Sequence, residues 1–206
     1  MKRPVMVITA GIIHPTVLNI KLCLRILNQF PYTYAVFNSI EGLPCLNLHE
    51  YSAVVLYLHR KVISRNALDA LDRHVHGGGG LLAIHSASAS FKSCPRYFEI
   101  LGGRFTTHGP ISSYRVIQNT PGDEVFGNVG SFTIKDELYI HEWDANNHVW
   151  FHTETESGIE PVVWTRTYGN GRVCYLAPGH TLSTMKNTNM HLCLQRGLNW
   201  VSEGRG

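Results

Sequence analysis

The sequence holds no run of basic residues, no two cysteines at C-x-x-C spacing, no apolar stretch long enough to cross a bilayer, and no linker rich in proline, glycine or serine. Each absence excludes a class. Eighteen Lys and Arg against 15 Asp and Glu leave a net charge of only +3, so the basic footprint of a nucleic-acid binder is missing. The five cysteines (Cys23, Cys45, Cys94, Cys174 and Cys193) are odd in number and support neither a disulfide framework nor a zinc ribbon. Most sit among apolar neighbours, where a reduced cysteine behaves as a small hydrophobe, which fits a reducing compartment. Lys2 and Arg3 before the apolar run from Val5 imitate a secretory signal, but Pro4 interrupts it and no small-residue cleavage site follows. The expectation is a soluble, cytoplasmic protein without nucleic-acid or membrane partners. With 206 residues, 44% hydrophobic and 16% charged, and no linker, residues 1–206 are expected to form a single domain.

What is present is an alternation of strand and helix patterns. Val5 to Thr9 is a β-branched run, and Pro15 opens a helix with Val17, Ile20, Leu24 and Leu27 as its predicted apolar face. Tyr32 to Phe37 alternates like a strand. Ala53 to Leu58 and Leu81 to Ile84 are continuous apolar runs, as in strands covered on both faces. Between them Ser64 caps a helix that presents Ala67, Leu68, Leu71 and Val75, and Gly77 to Gly80 end it. A helix is expected over Pro95 to Leu101. The series β-α-β-β-α-β-α implies a mostly parallel, doubly wound sheet. From Tyr114 onward the texture becomes that of short antiparallel strands: Tyr114 to Gln118, Phe132 to Ile134, His148 to Thr153 and Pro161 to Thr167. Asn170-Gly171 suggests a tight hairpin into Arg172 to Leu176, and Met190, Leu194, Leu198 and Val201 mark a final helix.

The four glycines invite a phosphate-loop reading, but such a cradle runs strand, glycines, helix, and here helix, glycines, strand is the order. They read better as a left-handed helix cap and a tight turn. No nucleotide cofactor is expected.

Histidine is the unusual residue, twelve in all, and its placement carries the functional reading. Ligands of open α/β sheets bind beyond the carboxyl ends of the strands. His59 follows Ala53 to Leu58, His85 follows Leu81 to Ile84, His180 follows Arg172 to Leu176 through Ala-Pro-Gly, and His14 stands after the first strand. Imidazole both exchanges protons near neutrality and ligates metals. Asp136 and Glu137, after the strand ending at Ile134, are the accompanying carboxylates. His74, His76, His148, His152 and His191 fall inside helix or strand patterns and read as surface or structural. Ser86 lacks the flanking glycines of a G-x-S-x-G elbow, and nothing in sequence pairs a base with Cys94, so covalent mechanisms are disfavoured.

Gly79 to Ser86 (GGLLAIHS), Leu101 to Pro110 (LGGRFTTHGP), Asp136 to Tyr139 (DELY), Pro161 to Thr181 (PVVWTRTYGNGRVCYLAPGHT) and Leu198 to Trp200 (LNW) come in an order that resembles the trehalose-utilisation, ThuA-like family. The resemblance implies the class I glutamine amidotransferase-like fold, a flavodoxin-like three-layer sandwich with a mostly parallel sheet and an antiparallel extension in the C-terminal half. In amidotransferases the elbow carries a nucleophilic cysteine. Here His85 matches that position, His180 stays where the base would be, and Leu182 stands in place of the triad carboxylate, so glutaminase chemistry is expected to be absent.

The family's link to disaccharide use through 3-keto sugars implies a carbohydrate as the small-molecule partner. The expected activity is a keto-sugar isomerase, lyase or hydrolase in which His85, His180 and Glu137 exchange protons with the substrate. His14, His59, His108 and Tyr139 would bind it. In a variant, His85, His180 and Glu137 or His108 hold a divalent transition metal as Lewis acid. Ser88 to Ser93 and Thr181 to Met185 depart from the acidic, aromatic, proline-containing loops of typical members, which leaves the sugar open. The rival reading is a non-catalytic sugar- or ligand-binding module, with Trp143, Trp150 and Trp164 as stacking faces; a third is a subunit of a homo-oligomer.

Overall fold

The structure, a computed structural model, describes residues 3–10 and 15–203, so His14 lies outside the described residues. Parallel strands β1 (Val5–Ala10), β2 (Tyr34–Phe37), β3 (Ala53–Leu58), β4 (Gly80–Ile84) and β11 (Gly171–Leu176) lie in the order β2-β1-β3-β4-β11. The sheet then continues antiparallel through β10 (Gly158–Tyr168), β9 (His148–Thr155), β6 (Ser112–Gln118) and β7 (Phe132–Asp136). The apolar strands bury both faces. Val5, Val7, Val55 and Tyr57 enter one core with helices α1 (Val17–Leu27) and α5 (Thr188–Ser202). Met6, Ile8, Val54 and Leu56 enter a second with α2 (Arg65–His76) and α3 (Pro95–Leu101). This is the flavodoxin-like three-layer sandwich with its antiparallel extension, and β1, β3, β4 and β11 all end at one rim.

Three details differ from the sequence reading. The α1 face is rotated: Asn19, Cys23, Ile26 and Leu27 are buried, while Val17 and Leu18 are 56% and 58% exposed. The helix turns this way because Asn19 donates from Nδ2 to the carbonyl of His180 (2.6 Å), a polar anchor that hydrophobic spacing does not reveal. In the β10–β11 hairpin Tyr168 pairs with Gly171, so the two-residue loop is Gly169-Asn170, and the left-handed φ of +57° falls on the glycine. Finally, β5 (Gly103–His108) and β8 (Tyr139–Trp143) form a separate two-stranded antiparallel ribbon that the sequence reading did not contain.

The glycine tract is a packing device. Ser64 caps α2 by accepting from the Ala67 N–H, the chain leaves that helix through Gly78 at φ +101°, and β4 begins at Gly80. A Cβ on Gly80 would stand 2.3 Å from the Val201 carbonyl oxygen, so β4 and the end of α5 meet backbone to backbone. Gly80→Ala is therefore expected to lower stability by about 1–3 kcal/mol, read from urea unfolding midpoints. An unchanged midpoint would show that α5 has room to move.

Candidate active site

At the end of β4 the backbone turns sharply. His85 takes φ +46°, in the left-handed region, and opens a single 3-10 turn, His85–Ala87. That conformation costs a non-glycine residue roughly 1–2 kcal/mol, so neighbours must hold it. The His85 carbonyl accepts from the Ser88 N–H (3.1 Å), the Ser88 hydroxyl (3.2 Å) and the Tyr175 hydroxyl (3.0 Å). The His85 imidazole, 1% exposed, pairs Nδ1 with the Ala177 carbonyl at 2.8 Å. Because a carbonyl can only accept, Nδ1 carries a proton, and in the neutral imidazole Nε2 then holds the lone pair.

The loop after β11 closes over this elbow. Gly179 has φ +152°, and a Cβ there would stand 2.9 Å from that of His85. The loop is clamped on three sides. Asp136, at the end of β7, accepts from the backbone N–H of Gly179 (2.7 Å), His180 (3.2 Å) and Thr181 (2.8 Å). The Tyr57 hydroxyl of β3 donates to the Gly179 carbonyl, and Asn19 of α1 holds that of His180. Burial pushes the Asp136 carboxyl above its ordinary pKa, and the backbone donors pull it back. Asp136, one of the two expected acidic partners, is thus the clamp on this loop.

Glu137 is the one that faces the histidines. Its Oε2 lies 3.1 Å from His180 Nδ1 and 3.9 Å from His85 Nε2, and its Oε1 lies 3.8 Å from His108 Nδ1. The His85 and His180 rings are 5.6 Å apart between centroids. Tyr139 lies over His85 at 4.0 Å, and the His108 ring stacks 5.8 Å from Tyr139. Burial, then the charges of Glu137 and Asp136, push the Tyr139 hydroxyl well above its usual pKa, so it remains a proton donor. The His85 side chain is buried, those of Glu137 and His180 are 12% and 17% exposed, and that of His108 is 41% exposed. His85 Nε2, His180 Nδ1 and a Glu137 oxygen all lie within 4.8 Å of one another, a spacing suited to proton exchange or to a metal ion.

The other expected groups have these surroundings. His59 follows β3, half-buried, and burial together with Lys92 and Lys61 lowers its pKa. Trp164 is fully buried and donates to the Leu101 carbonyl; Trp150 is buried and donates to Thr165 Oγ1; only Trp143, 40% exposed, offers a face to solvent.

A buried network beneath the elbow was missed in sequence. His141 Nδ1 pairs with Glu160 Oε1 at 2.8 Å, and the same oxygen accepts the His141 backbone N–H at 3.1 Å. His141 Nε2 lies 3.1 Å from the Tyr175 hydroxyl and 3.3 Å from that of Ser88, the two groups that hold the His85 carbonyl. Glu160 thereby pins β8 to β10. Tyr139 and His141, two apart on β8, share one face of a strand, and that alternation was the available signal.

The family model described as ThuA, trehalose utilisation, matches residues 5–201. Among solved structures, a ThuA-like protein from Parabacteroides merdae matches with a TM-score of 0.79 at 20% identity, over 99% of this chain and 91% of that one. A ThuA-like protein from Bacteroides uniformis gives 0.79 at 18% identity, over 97% and 91%. A cytoplasmic protein from Salmonella typhimurium LT2 gives 0.71 at 13% identity, over 96% and 99%. No curated protein sequence matches the chain.

The buried network predicts a pH dependence of stability. Burial holds the His141 imidazole below its ordinary pKa of 6.5, against the pull of Glu160. The unfolded chain then binds this proton at higher pH than the folded one, so the contribution is whole above pH 6.5 and declines as pH falls below it. Urea midpoints at about pH 7.5 and about pH 5.5 should differ more in the wild type than in His141→Gln. Equal losses in both proteins would contradict this.

Proposed function

Because the chain belongs to the ThuA family, described by trehalose utilisation, we propose that it acts on a carbohydrate, and that its substrate is a keto-sugar of the 3-keto-disaccharide kind. The reaction is an isomerisation, elimination or hydrolysis driven by proton transfer. The observation that carries this reading is one carboxylate, Glu137, with imidazoles of His180, His85 and His108 at 3.1, 3.9 and 3.8 Å.

A keto group acidifies the C–H beside it, and the cluster supplies what enolisation needs. Glu137, with His180 against it, takes the proton from the carbon next to the ketone. The C–H electron pair becomes the C=C bond of an enediol, while the carbonyl oxygen accepts a proton or hydrogen bond from Tyr139 and His108. His85, with Nδ1–H tied to Ala177, exchanges a proton at Nε2. Reprotonation at the former carbonyl carbon, as the hydroxyl on the adjacent carbon gives its proton back to the cluster and becomes the new ketone, isomerises the sugar. Expulsion of a glycosidic oxygen one carbon further splits the disaccharide, and water added to the resulting double bond completes a hydrolysis.

The same reading puts the protein in the cytoplasm with a small sugar as its partner. No helix among the described residues is long and apolar enough to cross a membrane, and likeness to a cytoplasmic protein supports that setting.

His85→Ala and His180→Ala are each expected to abolish turnover of a 3-keto-disaccharide, followed by chromatography of the sugars, while circular dichroism stays that of the wild type. A sugar that binds the wild type and emerges unaltered would sink the enzymatic reading and leave a binding module.

A further inference from the structure

We propose that His85 Nε2, His180 Nδ1 and Glu137 Oε2 form a binding site for one divalent first-row transition ion. The site rests on the same cluster as the functional reading but does not depend on the identity of the sugar. Ligand bonds of about 2.0–2.2 Å place neighbouring donors of such an ion about 3–3.5 Å apart. The His180–Glu137 distance is already 3.1 Å and the His85–Glu137 distance 3.9 Å, with all three donor atoms inside 4.8 Å. Side-chain adjustments on the order of 1 Å complete the set.

Two features organise these donors for a cation. Ligating histidines commonly give their second ring N–H to a carbonyl, which fixes the tautomer and raises the basicity of the nitrogen that ligates. His85 does this with Ala177, which turns Nε2 toward the Glu137 carboxylate 3.9 Å away. The backbone around the other donors is rigid as well. His180 sits in the loop whose N–H groups are bound by Asp136, and Glu137 is the next residue after that clamp. Two imidazoles and one carboxylate select a transition ion over magnesium or calcium, which take oxygen ligands.

Three protein ligands leave a fourth coordination position for a sugar oxygen or water, approached past His108, whose side chain is 41% exposed beside Glu137. Bound there, the ion polarises the ketone oxygen as a Lewis acid. Proton transfer then falls to Glu137 Oε1, which lies 3.8 Å from His108 Nδ1, and to the Tyr139 hydroxyl.

The test is calorimetric titration of Zn²⁺ into the full, untagged chain after chelator treatment, with Mg²⁺ as the comparison ion. The wild type is expected to bind about one Zn²⁺ per chain with a dissociation constant on the order of 1 µM or below, and Mg²⁺ not measurably. His85→Ala, His180→Ala and Glu137→Gln should each weaken it by roughly 30-fold or more. His148→Ala, on the surface, should leave it unchanged. Glu137→Gln keeps the side chain's volume, so it remains informative should an alanine variant fail to fold. Zinc binding that is absent, or that survives all three substitutions, overturns the site. Keto-sugar turnover by zinc-free protein in the presence of chelator overturns the ion's part in the reaction and leaves the acid–base reading standing. Tight zinc binding without any turnover keeps the site and overturns the enzymatic reading.

Discussion

A buried carboxylate holds the reactive groups in place. Asp136 ends an antiparallel strand of the extension, yet its oxygens accept the backbone N–H groups of Gly179, His180 and Thr181, which follow a strand of the parallel half. Burying a carboxylate is costly, and three backbone donors offset that cost by replacing the water it has lost. The consequence is geometric. With the loop fixed, Gly179 presses on the His85 turn, His180 points at Glu137, and the two halves of the sheet meet at one place.

The elbow obeys the same logic. A left-handed histidine persists only where surrounding contacts over-determine it, and residues from several elements do so. Ser88 and Tyr175 hold its carbonyl, Ala177 its imidazole, and Tyr139 covers its ring. The β5–β8 ribbon matters through this packing, because β8 brings Tyr139 against the His85 ring and His141 against the hydroxyls that hold its carbonyl. Glu160 anchors that strand to β10. The residues that face the substrate in the proposed reaction are thus few, and those that aim them are buried and distributed over the sheet.

Much of this was legible in sequence where a local rule governs. Apolar runs marked β3 and β4, Ser64 and the glycines marked the ends of α2, and the strand-end rule placed His85 and His180 on one rim. Glu137, His108 and Tyr139 also join that cluster. Legibility stopped where long-range polar contacts decide. Asn19 rotates α1 by reaching a carbonyl 161 positions away. The β5–β8 ribbon carries mostly polar residues, and its seat depends on Glu160, for which no local pattern exists. Asp136 and Glu137 are adjacent and chemically alike, and only the fold assigns one to the clamp and the other to the cluster.

Hydrogen exchange at carbon tests the central claim most directly. Wild-type protein incubated with a 3-keto-disaccharide in D₂O should introduce deuterium at the carbon beside the ketone, seen by mass spectrometry, and Glu137→Gln should not. Sugar recovered without deuterium, or the same exchange from the variant, would show that this carboxylate and its histidines do not enolise the substrate.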